Sequence, residues 1–270
     1  MSCRIDFVNP FGSRLYDDLI HKTLSHYAGE GTELTISHLD GFSTEIDYFY
    51  AKHLMEAVLF EHVMQAEEKG YDAVIVGCCY DPGVRVAREL VDIPVIGPME
   101  ASMQMAGYHG YNYTVVTDHH KAAPWIEDVI KLSGLSGNYR GIRTIEWYIR
   151  DMIDNPDAVA LDTIQRCEEV VTETHVDTII MGCTIVAACF QQWLMKGNMP
   201  PKFAIMNPNL MALKMAESLA NLKQKGGYRI SRAGFYEQPS GFYADEAREA
   251  RQAFASAVAH ARQTGAKAGS

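Results

Sequence analysis

Short apolar runs alternate with longer amphipathic segments along most of the chain. The runs are "IDFV", "ELTIS", "AVIVG", "PVIG", "YTVVT", "GIRTIE", "TIIMG" and "FAIM". Runs of this length, rich in Val and Ile and bounded by turn residues, predict strands. Between them, residues 47–69, 84–90, 158–174 and 210–223 carry helical periodicity. Strand–helix alternation of this kind predicts an α/β fold with largely parallel sheets.

The pattern also repeats. "YDAVIVGCC" resembles "VDTIIMGCT", which sets Cys78 against Cys183. "IPVIGPMEASMQMA" resembles "FAIMNPNLMALKMA", with Pro98 against Pro208 and Met105-Ala106 against Met215-Ala216. "IDFVNP" has a looser counterpart in "YTVVTD". Matches in the same order predict two copies of one unit, hence two pseudo-symmetric parallel-sheet α/β domains with the active site in the cleft between them. The last repeat strand, "FAIM", precedes a C-terminal helix that the first domain is expected to take back. The expected division is 1–98 plus 206–270 for the first domain and 99–205 for the second.

In open α/β sheets ligands bind outside the carboxyl ends of the strands. Cys78 and Cys183 both fall there, each one residue after a Gly that permits close backbone approach. A helix start follows each. Asp81 is expected as the N-cap and Pro82 as the first residue of the helix over 84–90, and Thr184 as the cap of "IVAACFQQWLM". Gly97-Pro98 and Asn207-Pro208 repeat the device. Helix N-termini carry partial positive charge and unpaired N–H groups, so both thiols are expected to titrate below the usual ~8.5. One strand-end cysteine alone reads as packing. Two at equivalent repeat positions read as chemistry: a thiolate removes a proton from one face of a carbon beside a carbonyl, and a thiol returns one to the other. No metal or organic cofactor is required for that step. Cys3, Cys167 and Cys189 lack this setting and read as packing or surface residues.

The formal net charge of −10 and pI near 5.4 argue against nucleic acid or an anionic membrane surface as partner, and leave a small-molecule substrate. No run approaches the ~18 apolar residues of a membrane span, and the N-terminus has no signal-peptide pattern. A cytoplasmic protein with reduced cysteines is expected, as a homo-oligomer. None of the six cysteines forms a CxxC pair, and no zinc site is expected.

Together, "GCCYDPG", "GCT" and "VNPFGS" resemble the aspartate/glutamate/hydantoin racemase superfamily, in particular its hydantoin and allantoin racemase branch. The resemblance covers roughly residues 4–220. It implies a catalytic pair of Cys78 and Cys183 and a hydantoin-like cyclic amide or amino-acid-like acid as substrate. It places Asn9, Ser13, Glu100 and Thr117 among substrate-contacting positions, with Thr184 beside them. Asn9-Pro10 is equally a plain turn and helix start, and Glu100 equally a complement to a helix N-terminus. Cys79 holds a non-catalytic register yet stands beside the pocket.

The chain departs from that pattern at "DHHKAAPW", which sets Asp118, His119, His120 and Trp125 near the pocket mouth. The two imidazoles read either as acid-base or carboxylate-binding groups or as solvated loop residues. The segment "TIEWYIRDMIDNPDAV" and the tail from "GGYRIS" onward are additions; the tail's aromatics fit either a cover for the cleft or a subunit contact. The superfamily also holds decarboxylases and cis-trans isomerases. A second reading therefore makes one thiol a nucleophile, opening or desulfurating a hydantoin or thiohydantoin ring. A non-enzymatic binding module is the third, although it has no need of paired thiols.

Overall fold

Each of the eight apolar runs forms a strand. The order is β1 (Cys3–Asn9), α1 (Asp17–Ser25), β2 (Thr32–His38), α2 (Phe49–Glu68), β3 (Ala73–Val76), α3 (Val84–Leu90), β4 (Val95–Ile96) and α4 (Pro98–Ala106). It continues with β5 (Tyr113–Thr117), α5 (Ala122–Ser133), a 3₁₀ turn (Ser136–Asn138), β6 (Tyr139–Thr144), α6 (Ile149–Met152) and α7 (Pro156–Thr174). The remainder is β7 (Thr178–Met181), α8 (Thr184–Met195), β8 (Ala204–Met206), α9 (Pro208–Gln224) and α10 (Phe242–Gly265). The computed structural model describes residues 2–41, 48–240 and 242–265. The expected start of the second helix at Asp47 and residues 266–270 of the expected first domain lie outside the described residues.

The chain divides into two units, Met1–Ile230 and Ser231–Ser270. The second contains α10, whose described side chains are mostly exposed. Everything below concerns the first.

Two four-stranded sheets are present among the described residues, ordered β2-β1-β3-β4 and β6-β5-β7-β8, and all their pairs are parallel. The orders are equivalent strand for strand, so the repeat read in the sequence is a repeat of topology. Connections reverse direction between β1 and β3 in one sheet and between β5 and β7 in the other. Such switch points open a crevice at the strands' carboxyl ends.

Alternation along the strands assigns their two faces. Ile5, Phe7 and Ile75 point into a central cluster with Val115 and Ile180 of the second sheet. Val8, Val74 and Val76 point outward against Met55, Leu59 and Val63 of α2. Val116 and Ile179 meet Cys167 and Val170 of α7 on the far side. Strands buried on both faces read as unbroken apolar runs, which explains why "AVIV" and "TIIM" were so legible. The last helix of each repeat crosses over. α9 packs on β1, β3 and β4 of the first sheet, and α4 touches β7 of the second.

Candidate active site

The two glycines before the cysteines set where the thiols stand. A Cβ on Gly77 would lie 2.2 Å from the Phe7 ring, and one on Gly182 would lie 2.7 Å from Thr117 Cβ and 2.8 Å from Val115 Cγ1. Only glycine lets each strand end run this close to its neighbour. Val8 pairs with Val76, and Val116 with Met181, so both cysteines emerge beside a switch-point partner strand. They meet in one chamber of about 20 Å³, lined by Phe11, Gly77, Cys78, Cys79 and Tyr80 from the first half and by Asp118, Ile149, Gly182, Cys183, Thr184 and Ile185 from the second. That is room for about one water molecule.

The local capping differs from the expectation. Asp81 does not cap α3, whose N-cap is Gly83 with φ 64° and no side-chain bond. Asp81 itself takes φ 45°, in the left-handed region that Asp tolerates better than most residues. This turns its carboxylate onto the start of α4, where it accepts from Met99 N (3.0 Å) and Glu100 N (2.7 Å). The Asp-Pro-Gly signal was local, and the helix it caps follows the next strand. Nor does Thr184 cap α8. Cys183 occupies the N-cap position, and Thr184 Oγ1 donates across to Gly77 O at 3.0 Å, tying the two cysteine turns together. At α9 the expectation stands: Asn207 Oδ1 accepts from Asn209 N and Leu210 N.

The thiols titrate upward, against the expectation. Burial pushes the Cys78 thiol up to about 12, opposed by the Lys52 charge and the Tyr80 N–H. Cys183 is raised well above its ordinary value, first by burial and then by the Asp118 carboxylate, with the N–H groups of Ile185 and Val186 opposing. The helix N-terminus thus acts on Cys183 as foreseen, but desolvation is the larger effect. Cys79 is raised as well, by burial and then by the other two thiols, and its Sγ lies 3.8 Å from Met181 O.

Asn9, fully buried at the end of β1, donates from Nδ2 to Asp17 Oδ1 at 2.8 Å. Thr117 Oγ1 lies 2.9 Å from Asp118 Oδ1 and 3.1 Å from Gly182 O, so its proton serves the protein framework. Ser13 is not part of the chamber lining; its Oγ accepts from Leu15 N in a local turn. Glu100 pairs with Arg88 at 2.6 Å and lines a separate 410 Å³ pocket together with Tyr80 and Trp125. His119 is buried and stacked on Tyr148, with ring centroids 4.8 Å apart. His120 is exposed and faces Glu146 at 3.2 Å. Neither imidazole lines the chamber.

Two residues near the thiols were given no role by sequence reasoning, although Asp118 was placed near the pocket mouth. Asp118 lines the chamber beside Cys183, and burial raises its carboxyl. Its position after β5 matches that of Pro10 after β1 in the repeat, and that equivalence was the available signal. Lys52 on α2 is 1% exposed, its Nζ 3.4 Å above the Tyr80 ring. A cavity of about 740 Å³ is lined by Arg14, Asp17, His38 and His62 among others and shares no lining residue with the thiol chamber. Among the described residues no group of three or more His, Cys, Asp or Glu is arranged to hold a metal.

A duplicated parallel α/β unit that delivers one strand-end thiol from each copy to a shared chamber is a racemase-type scaffold. The chain belongs to the Asp/Glu/Hydantoin racemase family, whose model matches residues 5–216. It is 28% identical over 194 residues to a hydantoin racemase of Pseudomonas sp. (strain NS671), covering 72% of this chain and 75% of that protein. It is 25% identical over 239 residues to a hydantoin racemase of Paenarthrobacter aurescens, covering 88% and 98%. Its fold matches that of an allantoin racemase from Klebsiella pneumoniae with a TM-score of 0.80 at 24% identity, over 89% of this chain and 95% of that one.

Proposed function

We propose that the protein inverts the carbon next to a carbonyl in a hydantoin-like cyclic amide, with Cys78 and Cys183 as the acid-base pair and without a cofactor. The observation that carries this reading is the single chamber lined by both strand-end thiols. A flat ring between them has one sulfur on each face. One thiolate takes the proton, the ring carbonyl holds the charge as an enolate, and the opposite thiol returns a proton. The reverse reaction exchanges the roles.

The polar groups favour a ring amide over a free amino acid. Because Asn9 Nδ2 is committed to Asp17, its Oδ1 is the end left to accept, and it is buried with no hydrogen-bond partner among the described residues. Asn9 is not among the residues lining the chamber, whereas Asp118 offers an acceptor in the chamber itself. Acceptors suit the N–H groups of a hydantoin ring, whereas a substrate carboxylate needs donors.

Cys79 supports a second reading, because it lines the same chamber and gives it a third thiol. On that reading a thiolate adds to a ring carbon, the ring C–N bond breaks or sulfide leaves, and water then cleaves the new C–S bond to free the thiol. Proton NMR in deuterated water on single-enantiomer 5-substituted hydantoins and their 2-thio analogues separates the two. Deuterium entering C5 with loss of optical rotation is the expected result. Ring opening or sulfide release would replace racemisation by the nucleophilic reaction.

A further inference from the structure

We propose that Asp17 and His38 are positioning residues that lock the Asn9 amide as an acceptor, so that the site selects a ring N–H over a ring oxygen or an N-alkylated ring. The inference rests on the racemase reading above and adds to it what fixes the choice of ring.

The register of the first sheet sets Asn9 and His38 side by side, as the last paired residues of β1 and β2. Asp17, in the first turn of α1, reaches both. Its Oδ1 accepts from Asn9 Nδ2 at 2.8 Å, and its Oδ2 lies 3.1 Å from His38 Nδ1. His38 Nε2 in turn lies 2.8 Å from Oδ1 of the exposed Asp40 and 3.4 Å from Arg14 Nε. A row of polar side chains therefore runs from the fully buried Asn9 out to the surface. A first-turn carboxylate ordinarily complements the positive end of its helix, and Asp18 beside it serves that purpose. Asp17 differs in having each oxygen engaged by a different strand end.

This row has a direction. A carboxylate only accepts, so Asn9 must turn its NH2 toward Asp17, and the His38 nitrogen facing Asp17 must carry a hydrogen. Asn9 Oδ1 is the atom left over. It is buried, with no hydrogen-bond partner among the described residues. Leaving a buried acceptor unpaired is costly, so its retention calls for a donor that a ligand brings. Its place suits that. Val8 pairs with Val76, and Gly77 N donates to Val8 O at 2.8 Å, so Asn9 extends β1 beside the Gly77-Cys78 turn. Phe11, two residues further on, lines the thiol chamber.

The test is equilibrium binding by calorimetry in the full chain, with racemic ligands so that racemisation leaves their composition unchanged. 5-Benzylhydantoin is compared with two analogues that each lack one N–H. One is 5-benzyloxazolidine-2,4-dione, with a ring oxygen in place of N1–H; the other is 3-methyl-5-benzylhydantoin. The parent chain is expected to favour the hydantoin over one of them by about tenfold or more. In Asp17→Asn the His38 N–H keeps the new amide's oxygen, the new NH2 faces Asn9, and Asn9 turns to offer its own NH2 instead. The hydantoin then binds about tenfold more weakly while that analogue binds no worse. The same substitution changes nothing further in an Asn9→Ala chain. A parent without preference, or an unchanged preference in Asp17→Asn, overturns the proposal. So does equal weakening of all three ligands, which marks a packing role. Should Asp17→Asn fail to fold, Asn9→Ala decides: a hydantoin preference that survives it overturns the proposal, and its loss supports it. Failure of the racemase reading shows separately, as C5 deuterium exchange that is absent or indifferent to Cys78→Ser.

Discussion

Cys78 and Cys183 occupy equivalent places in two copies of one fold, and their surroundings are nonetheless different. Cys183 is the N-cap of α8, where the Ile185 and Val186 N–H groups favour its thiolate against burial. Cys78 is followed by a loop with two left-handed residues, and α3 begins only at Val84. A buried ammonium favours the thiolate of Cys78; the Asp118 carboxylate opposes that of Cys183. The duplication therefore fixes where the sulfurs stand and leaves the charge around each to the individual half. Geometry is symmetric and electrostatics is not, while the proposed reaction uses one thiol as base and the other as acid at any instant.

The largest effect expected from disturbing this comparison is removal of either sulfur. Cys78→Ser and Cys183→Ser should each lower the racemisation rate by at least about a thousandfold in polarimetry, because a serine hydroxyl is a far weaker base than a thiolate. A variant that keeps a tenth of the rate would show that its sulfur is not needed.

Glycine replacement sharpens the comparison at the level of stability. Gly77→Ala and Gly182→Ala should each cost roughly 1–3 kcal/mol in urea unfolding, as overpacked sites do. Gly182→Ala should cost more, since its new methyl meets atoms next to the Thr117 and Val115 backbones, whereas Gly77 meets the far edge of the Phe7 ring. Equal costs would mean the two strand ends are equally able to adjust.

Asp118→Asn should move the Cys183 titration downward, because it removes the carboxylate that opposes the thiolate. A downward move of the alkaline limb of the rate–pH profile in Asp118→Asn reports this. Smallest is the effect of Asp81→Ala, about 0.5–2 kcal/mol for two lost N–H acceptors at the start of α4. Burial raises the Asp81 carboxyl to about 7 in the folded protein from 3.8. The folded state then holds its proton longer than the unfolded one, so this group withdraws stability as pH rises from about 4 to about 7. Loss of that slope in Asp81→Ala, read from melting temperature against pH, checks the sign.

Much of the frame was legible in the sequence, for definite reasons. Doubly buried parallel strands carry their signal locally, and the Gly-Cys turns recur at equivalent positions. Strand order was not legible, because which strand pairs with β1 is decided by packing across the sheet. Asp81 misled for the same reason: Asp-Pro-Gly is a good local cap signal, but a left-handed backbone aims the carboxylate at α4. The thiol titrations were misjudged because helix dipoles are visible in a sequence and desolvation is not. Lys52 left a trace that went unread, as the one charged residue on an otherwise apolar helical stripe. Glu100 and Ser13 had local partners that only three-dimensional structure supplies.

The most direct test of the account follows each face of the substrate separately. Each enantiomer of a turned-over hydantoin is incubated in deuterated water with Cys78→Ser and with Cys183→Ser, and C5 deuteration and optical rotation are followed together. The account predicts that each variant exchanges the proton of one enantiomer with retention, the opposite enantiomer in each case, and racemises neither. Racemisation surviving in either variant, or exchange of the same enantiomer by both, would contradict a one-thiol-per-face mechanism.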